Sequence, residues 1–242
     1  MIIEFTGIPG SGKTTLNDAL NQFLVSRGYQ VWTPIYYWRQ IGRKQKLSFS
    51  ERMLFIFRKL IVCLKTVRTN FHLMSFVPWR HILAEQSFQN KWLCLNSFMT
   101  NLAEREAAEN LVPHNTIALM DEGIFHRSYS LFVMPEKYLD IKEILLYGRA
   151  VKLPDLLIYL KSPVPACLDR ICRRELPVRM RGLKRSVALK MMIKGETVLN
   201  VLIKDLRQRQ LNNINVLELD CQDPVEAKNK LFDWIENFLP VR

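Results

Sequence analysis

The run Gly7-Ile8-Pro9-Gly10-Ser11-Gly12-Lys13-Thr14 carries the chemistry most readily named from residue type and spacing. It satisfies G-x-x-x-x-G-K-[ST] in full, a pattern expected by chance in a chain this long with a probability on the order of one per cent. Each position has a physical reason. Glycines let backbone N–H groups turn inward around phosphate oxygens with no Cβ in the way. A helix starting near Lys13 aims its positive end at the same anion. Lys13, expected to be exposed at a loop, can reach the β- and γ-phosphates of a nucleotide, and the Thr14 hydroxyl can ligate Mg²⁺.

A second group of chemical residues lies a hundred positions on. The apolar run Thr116-Ile117-Ala118-Leu119-Met120 ends in Asp121-Glu122-Gly123. In open α/β sheets, ligands sit at the carboxyl ends of the strands. If this strand neighbours the first, the acidic pair faces the glycine-rich loop. Asp121 could then hold Mg²⁺ through water, and either carboxylate could accept a proton from an acceptor hydroxyl. An acidic turn capping the next helix is the plain alternative. Arg127 offers a bidentate clamp for a substrate phosphate or carboxylate, or is an ordinary surface arginine. His126 has no visible triad partner and reads as structural.

Basic residues gather in two further places. Arg170, Arg173, Arg174, Arg179, Arg181 and Arg185 fall in a stretch broken by Pro177 and Gly182. Residues 173–186 are therefore expected to form an arginine-rich lid. Its charges would neutralise a phosphoryl group in transfer, and its closure would exclude water. A solvated basic loop is the alternative. A nucleic-acid patch is disfavoured, because the segment has no aromatic residue on which a base could stack. Farther upstream, Tyr36, Tyr37 and Trp38 adjoin Arg39, Arg43, Lys44 and Lys46. That cluster could stack a nucleobase or sugar ring, or simply pack.

Such residues need elements to hold them. Short apolar runs at Ile2–Phe5, Gln30–Trp32, Thr116–Met120, Leu156–Leu160 and Val216–Leu219 have the length and composition of buried parallel strands. Helical patterns separate them, which predicts an α/β fold whose crossover helices cover both faces of a parallel sheet. The first helix is expected from about Lys13 to Arg27, stopped by Gly28. The last is capped by Asp223 and opened by Pro224, with Val225, Leu231, Trp234, Ile235 and Phe238 as its apolar stripe, and ends at Pro240. The region 34–112 is strand-poor and reads as a helical insertion. Within it Met53, Phe57, Leu60, Leu64, Val67, Phe71 and Met74 form a seam with a second apolar face beside it. Packing within the same single domain, 1–242, is the simplest use of that seam, a homodimer contact the next, and a membrane-surface face, favoured only by the interspersed basic residues, the last.

Composition bounds the function. The 242 residues are 48% hydrophobic and 24% charged, which excludes a wholly disordered chain. Five scattered cysteines without a CxxC pair argue against a disulfide framework or a zinc site. No secretory signal and no apolar stretch long enough to span a bilayer is visible, so a cytoplasmic location is expected. The net charge of +12 points to an anionic partner without choosing among nucleic acid, membrane surface and phosphorylated metabolites.

Taken together, GIPGSGKTT (Gly7–Thr15), MDEG (Met120–Gly123) with Arg127, and PDLLIYLKSP (Pro154–Pro163) running into ACLDRICRRE (Ala166–Glu175) resemble the thymidylate kinase-like branch of the P-loop nucleoside and nucleotide kinases. The resemblance covers most of the chain outside about 34–110. It implies a three-layer P-loop fold with a five-stranded parallel core, ATP as donor, Mg²⁺, and transfer of the γ-phosphoryl group to a small acceptor. On that resemblance Gly7, Pro9, Gly10, Ser11, Gly12, Lys13, Thr14, Thr15 and Arg170 would bind the nucleotide. Thr14 and Asp121 would attend the metal. Lys13, Asp121, Glu122, Arg127, Arg174 and Arg179 would serve catalysis. The chain also departs from thymidylate kinases, with Ile8-Pro9 where they carry an acidic loop residue, Trp32-Thr33-Pro34 where they carry Arg-Glu-Pro, and Asp121-Glu122 for Asp-Arg. The expected acceptor is accordingly another nucleotide, nucleoside or hydroxyl-bearing metabolite. Two alternatives remain: an ATPase or switch NTPase in which Glu122 activates water, and a nucleic-acid-binding protein or polynucleotide kinase.

Overall fold

The computed structural model describes residues 1–34, 68, 73, 87–110, 112–113, 115–133, 138–174, 176–177, 180–209 and 214–239. The cluster Tyr36–Lys46, the seam members Met53, Phe57, Leu60, Leu64, Val67, Phe71 and Met74, the lid residue Arg179 and the stop at Pro240 lie outside them.

Five parallel strands form one sheet: β1 (Ile2–Thr6), β2 (Gln30–Trp32), β3 (Thr116–Met120), β4 (Leu156–Lys161) and β5 (Asn215–Asp220), in the order β2-β3-β1-β4-β5. Each expected strand is present, three of them a residue or two longer. β1 lies between β3 and β4, with Glu4 opposite Met120 and Phe5 opposite Ile158. This register sets the ends of β1 and β3 side by side, so the glycine-rich loop and the Asp121-Glu122 turn emerge at one edge.

The period of two along β1 splits its side chains between two layers. Ile3 and Phe5 join Leu16, Leu20 and Leu24 of α1 (Lys13–Ser26) and Leu231 and Ile235 of α7 (Pro224–Phe238). These side chains are essentially fully buried, each a gain of about 2 kcal/mol. Ile2, Glu4 and Thr6 face the other layer. There α2 (Phe88–Asn110) packs Ala108 against Ile2, Ala118 and Met120, while its Phe98 and Leu102 enter a larger core. That core also takes side chains from α3 (Arg127–Phe132), α4 (Ile141–Ala150), α5 (Val164–Arg174) and α6 (Arg185–Gln208). Helices thus cover both faces of the sheet.

Local signals fix the ends. Gly28, at φ 81°, closes α1 through N–H bonds from Gly28 to Val25 O and from Tyr29 to Leu24 O. Asp223 caps α7 by accepting from Val225 N and Glu226 N. One expectation fails here. Val225 is 67% exposed and does not join the apolar stripe, because it lines the cavity beside the glycine-rich loop while Ala227 of the same turn enters the core. Between α5 and α6, Met180 is buried in the core, so the basic loop has an apolar anchor. Among the described residues no helix is long and apolar enough to cross a membrane.

Candidate active site

The loop from Gly7 to Gly12 wraps the start of α1. Gly10 and Gly12 hold φ of 81° and 99°. A Cβ on Gly10 would lie 2.5 Å from the Cys167 carbonyl, so both conformation and space require glycine there. Lys13 is not exposed as expected: it is 7% exposed. Its ammonium folds back to donate to Gly7 O at 3.0 Å and Ile8 O at 3.2 Å, and lies 3.6 Å from Glu122 Oε1. The physical reason is that loop carbonyls and a carboxylate crowd the base of the loop, and a cation is held there. Arg170 braces the other side, donating to Gly10 O and Ser162 Oγ, both at 3.2 Å.

At the end of β3 the two carboxylates take different partners. Thr14 Oγ1 donates to Asp121 Oδ2 at 2.9 Å. Glu122 Oε1 lies 3.4 Å from His126 Nε2, and Arg127 Nη2 donates to Glu122 Oε2 at 3.2 Å. Burial raises the Asp121 carboxyl above its ordinary value, the Glu122 charge adds to this, and Thr14 and Lys13 oppose it. Burial also works to raise Glu122, but His126, Lys13 and Arg127 outweigh it and hold that carboxyl well below the usual range. Glu122 is the carboxyl held the more firmly ionised of the two, and 39% of its side chain still meets solvent. Environments that separate two adjacent carboxyls give them separate roles.

Behind this pair lies a buried polar layer. Glu4 is fully buried, accepts from His126 N–H at 3.0 Å, and lies where a Cβ on Gly123 would be. Burial pushes its carboxyl up to about 7, against the His126 N–H and the Arg105 charge. His126 is 3% exposed, and its Nδ1 faces Thr6 Oγ1 at 3.3 Å. Burial holds the imidazole below its ordinary value, Glu122 opposing and Lys13 adding.

Two cavities meet at Glu122. One, of about 630 Å³, is lined by Pro9 through Leu16, Arg170, Arg174, Cys221, Pro224, Val225 and Lys228. The other, of about 310 Å³, is a polar cleft between the sheet edge and α2, lined by Asn17, Thr33, Thr100, Asn101, Glu104, Asp121 and Arg127 among others. Glu122 lines both.

The site brings together Gly7, Pro9, Gly10, Ser11, Gly12, Lys13, Thr14, Thr15, Asp121, Glu122 and Arg170, with Arg174 on the exposed rim. Arg127 reaches the cleft, but its guanidinium is engaged by Glu122 and by Asn101 Oδ1, so its first action is on the carboxylate rather than on an incoming anion. Sequence reasoning missed the α2 face. Ser97, Thr100, Asn101 and Glu104 recur at helical spacing alongside the buried Phe98 and Leu102, and that polar stripe was the available signal. It also missed the partner of His126, Lys228 and the buried Glu4.

The residues fit a polyphosphate with a hard cation. Ser11 Oγ and Asp121 Oδ1 are buried and have no hydrogen-bond partner among the described residues. The first could donate to a phosphate oxygen, and the second, beside Thr14, could hold Mg²⁺ directly or through water.

No family model matches the chain, and no curated protein matches it. Among solved structures, a deoxyadenosine kinase from M. mycoides with products dCMP and a flexible dCDP bound is similar over 99% of this chain and 100% of that one, at 14% identity and a TM-score of 0.51. The structure of deoxyadenosine kinase from M. mycoides with bound dCTP covers the same shares at 12% identity and a TM-score of 0.43. The architecture is that of a P-loop kinase fold, a five-stranded parallel sheet flanked by helices.

Proposed function

We propose that the chain is an ATP-dependent phosphotransferase that moves the γ-phosphoryl group to a small hydroxyl-bearing acceptor. The observation that carries this reading is the meeting of a phosphate-loop cavity and a polar side-chain cleft at one ionised carboxylate, Glu122. A hydrolase needs only the first cavity, whereas transfer needs a second one for the acceptor. The resemblance to the thymidylate kinase-like branch and the fold likeness to a deoxyadenosine kinase support the same class.

In this reading the amides of Gly10 to Thr14 and the Ser11 hydroxyl hold the donor phosphates. Lys13 exchanges its loop carbonyls for β- and γ-oxygens. Arg170 and Arg174 lie where charge could be neutralised on the outer side, and Arg179 belongs to the same basic segment. Thr14 and Asp121 would hold Mg²⁺, which when bound neutralises charge on the phosphate oxygens. Glu122 accepts a hydrogen bond from the acceptor hydroxyl and orients its oxygen. The new O–P bond forms as the bond from phosphorus to the β-phosphate oxygen breaks, the hydroxyl proton passing to Glu122 and ADP leaving. A strong base is not needed where the transition state is loose, so a carboxylate of low basicity suffices.

The described lining of the cleft sets three carboxylates, Glu104, Asp121 and Glu122, against the one guanidinium of Arg127. This balance favours an uncharged acceptor, a nucleoside or similar polyol, over a phosphate monoester. The test is a panel of nucleosides, nucleotides and sugars with γ-labelled ATP and Mg²⁺. Label in a nucleoside product is expected. Acceptor-independent release of phosphate alone would support the hydrolase alternative and overturn this reading.

A further inference from the structure

We propose that His126 is a positioning residue for Glu122, its Nε2–H donating to Oε1 while β1 holds the opposite edge of the ring. The inference deepens the phosphotransfer reading and rests on it for the role of Glu122.

The ring is fixed on every side. Nδ1 faces Thr6 Oγ1 at 3.3 Å, and the backbone N–H is bound by Glu4 Oε1 at 3.0 Å. Thr6 and Glu4 are two residues apart on β1, and therefore project from the same face. The imidazole lies parallel to the Tyr129 ring, at an interplanar angle of 6° and a centroid distance of 6.1 Å. Tyr129 is itself held against Gly195 of α6, where even a Cβ would collide with it. A neutral imidazole has one donor and one acceptor. The proposed tautomer has the Thr6 hydroxyl donate to Nδ1 and leaves the N–H at Nε2, 3.4 Å from Glu122 Oε1.

The consequence concerns what holds Glu122 when Lys13 leaves it. Three groups share its two oxygens: Lys13 and His126 at Oε1, and Arg127 at Oε2. Lys13 is the group that phosphate oxygens would draw away. His126 is rooted in the sheet and cannot follow. With Arg127 it keeps the carboxylate turned to the cleft after the donor has bound.

The test uses the full-length protein in two arms. In the first, histidine nitrogens are labelled with ¹⁵N, and the His126 signals are assigned by their loss in His126→Gln. A neutral Nε2–H tautomer is expected, with its Nε2 resonance moved by Glu122→Gln. An Nδ1–H tautomer, or a resonance indifferent to that change, would overturn the proposal.

The second arm is kinetic. His126→Phe keeps a ring beside Tyr129 and removes both nitrogens. It should lower kcat by about tenfold to a hundredfold with little change in the KM for ATP. His126→Gln, whose amide N–H can still reach Oε1, should recover most of that loss. His126→Phe added to Glu122→Gln should cost nothing more. Equal losses in the Phe and Gln variants, tracking Tm, would mark a packing role and reject positioning. A protein inactive on the whole acceptor panel would sink the phosphotransfer reading alone, and the spectral arm would still decide whether His126 holds Glu122. That arm needs no folded Phe variant.

Discussion

The two cavities that meet at Glu122 are built by opposite means. The larger is built on a backbone cage, the consecutive residues from Pro9 to Leu16 with glycines where φ is positive and the amino end of α1, and is walled by residues of α5 and α7. The smaller is made of side chains, from α1, the residues after β2, α2, the turn after β3 and α3. A backbone cage tolerates few sequences, because it depends on glycine conformations and on close approach such as Gly10 to Cys167. A cleft of side chains can change its lining without moving the chain. The first can therefore be specified once for a common donor, and the second varied for the acceptor.

The sharpest way to break this contrast is Lys13→Ala. Lys13 touches the backbone cage from within and also reaches Glu122. Loss of its charge at the transferred phosphoryl should lower kcat by about 10²–10³-fold. Stability should fall by only about 1–2 kcal/mol, the cost of two loop carbonyls losing a donor. Turnover at the wild-type rate would mean that the amides alone suffice.

Next in size is Glu4→Gln, which probes the layer beneath both cavities. A carboxyl raised to about 7 in the folded chain contributes stability that is fully present below the unfolded value of 4.5. That stability is lost as pH rises through 7, about 3 kcal/mol in all. The amide does not titrate and can still accept from His126 N–H. Denaturant midpoints at pH 5 and pH 7.5 should show the variant gaining on the wild type as pH rises. Parallel pH profiles would show that Glu4 is not held protonated.

The same contrast explains what the sequence made legible. The loop could be read because its function resides in consecutive residues whose types are forced by backbone geometry. Asp121 and Glu122 could be read because a strand end in a parallel sheet is a known place for ligands. Glu4 could not, since a glutamate in an apolar strand looks like an edge or surface residue until the other layer covers it. Glu122 and His126 stand four apart, a spacing that signals contact only on a helix. Here they sit in a turn, and the anchor at Thr6 is 120 residues away. Lys13 was misjudged in exposure for a related reason: the carbonyls and carboxylate that surround it come from two separate segments. The α2 stripe was visible as a period, but nothing local said that its polar face meets the end of β3 rather than solvent.

Thr100→Val tests that stripe. The change keeps the shape and removes a hydroxyl that lines the cleft alone. The acceptor KM should rise by about threefold to tenfold, one hydrogen bond's worth, while the KM for ATP stays put. A change in both would show that the cavities are not separable at this residue.

The smallest effect is expected at Asp223→Ala, and it sharpens the comparison from the donor side. Asp223 caps α7, whose Pro224, Val225 and Lys228 form one wall of the larger cavity. Removing the cap frees two N–H groups at an exposed end and should cost about 1 kcal/mol in stability. If the phosphates are held by the loop amides rather than by α7, affinity for ATP should fall by no more than about threefold. The acceptor KM should not move at all, because α7 lies on the face of the sheet opposite α2. A shift in acceptor KM would require α7 to act on Glu122 through the loop, and the two modes of construction would then be coupled rather than independent.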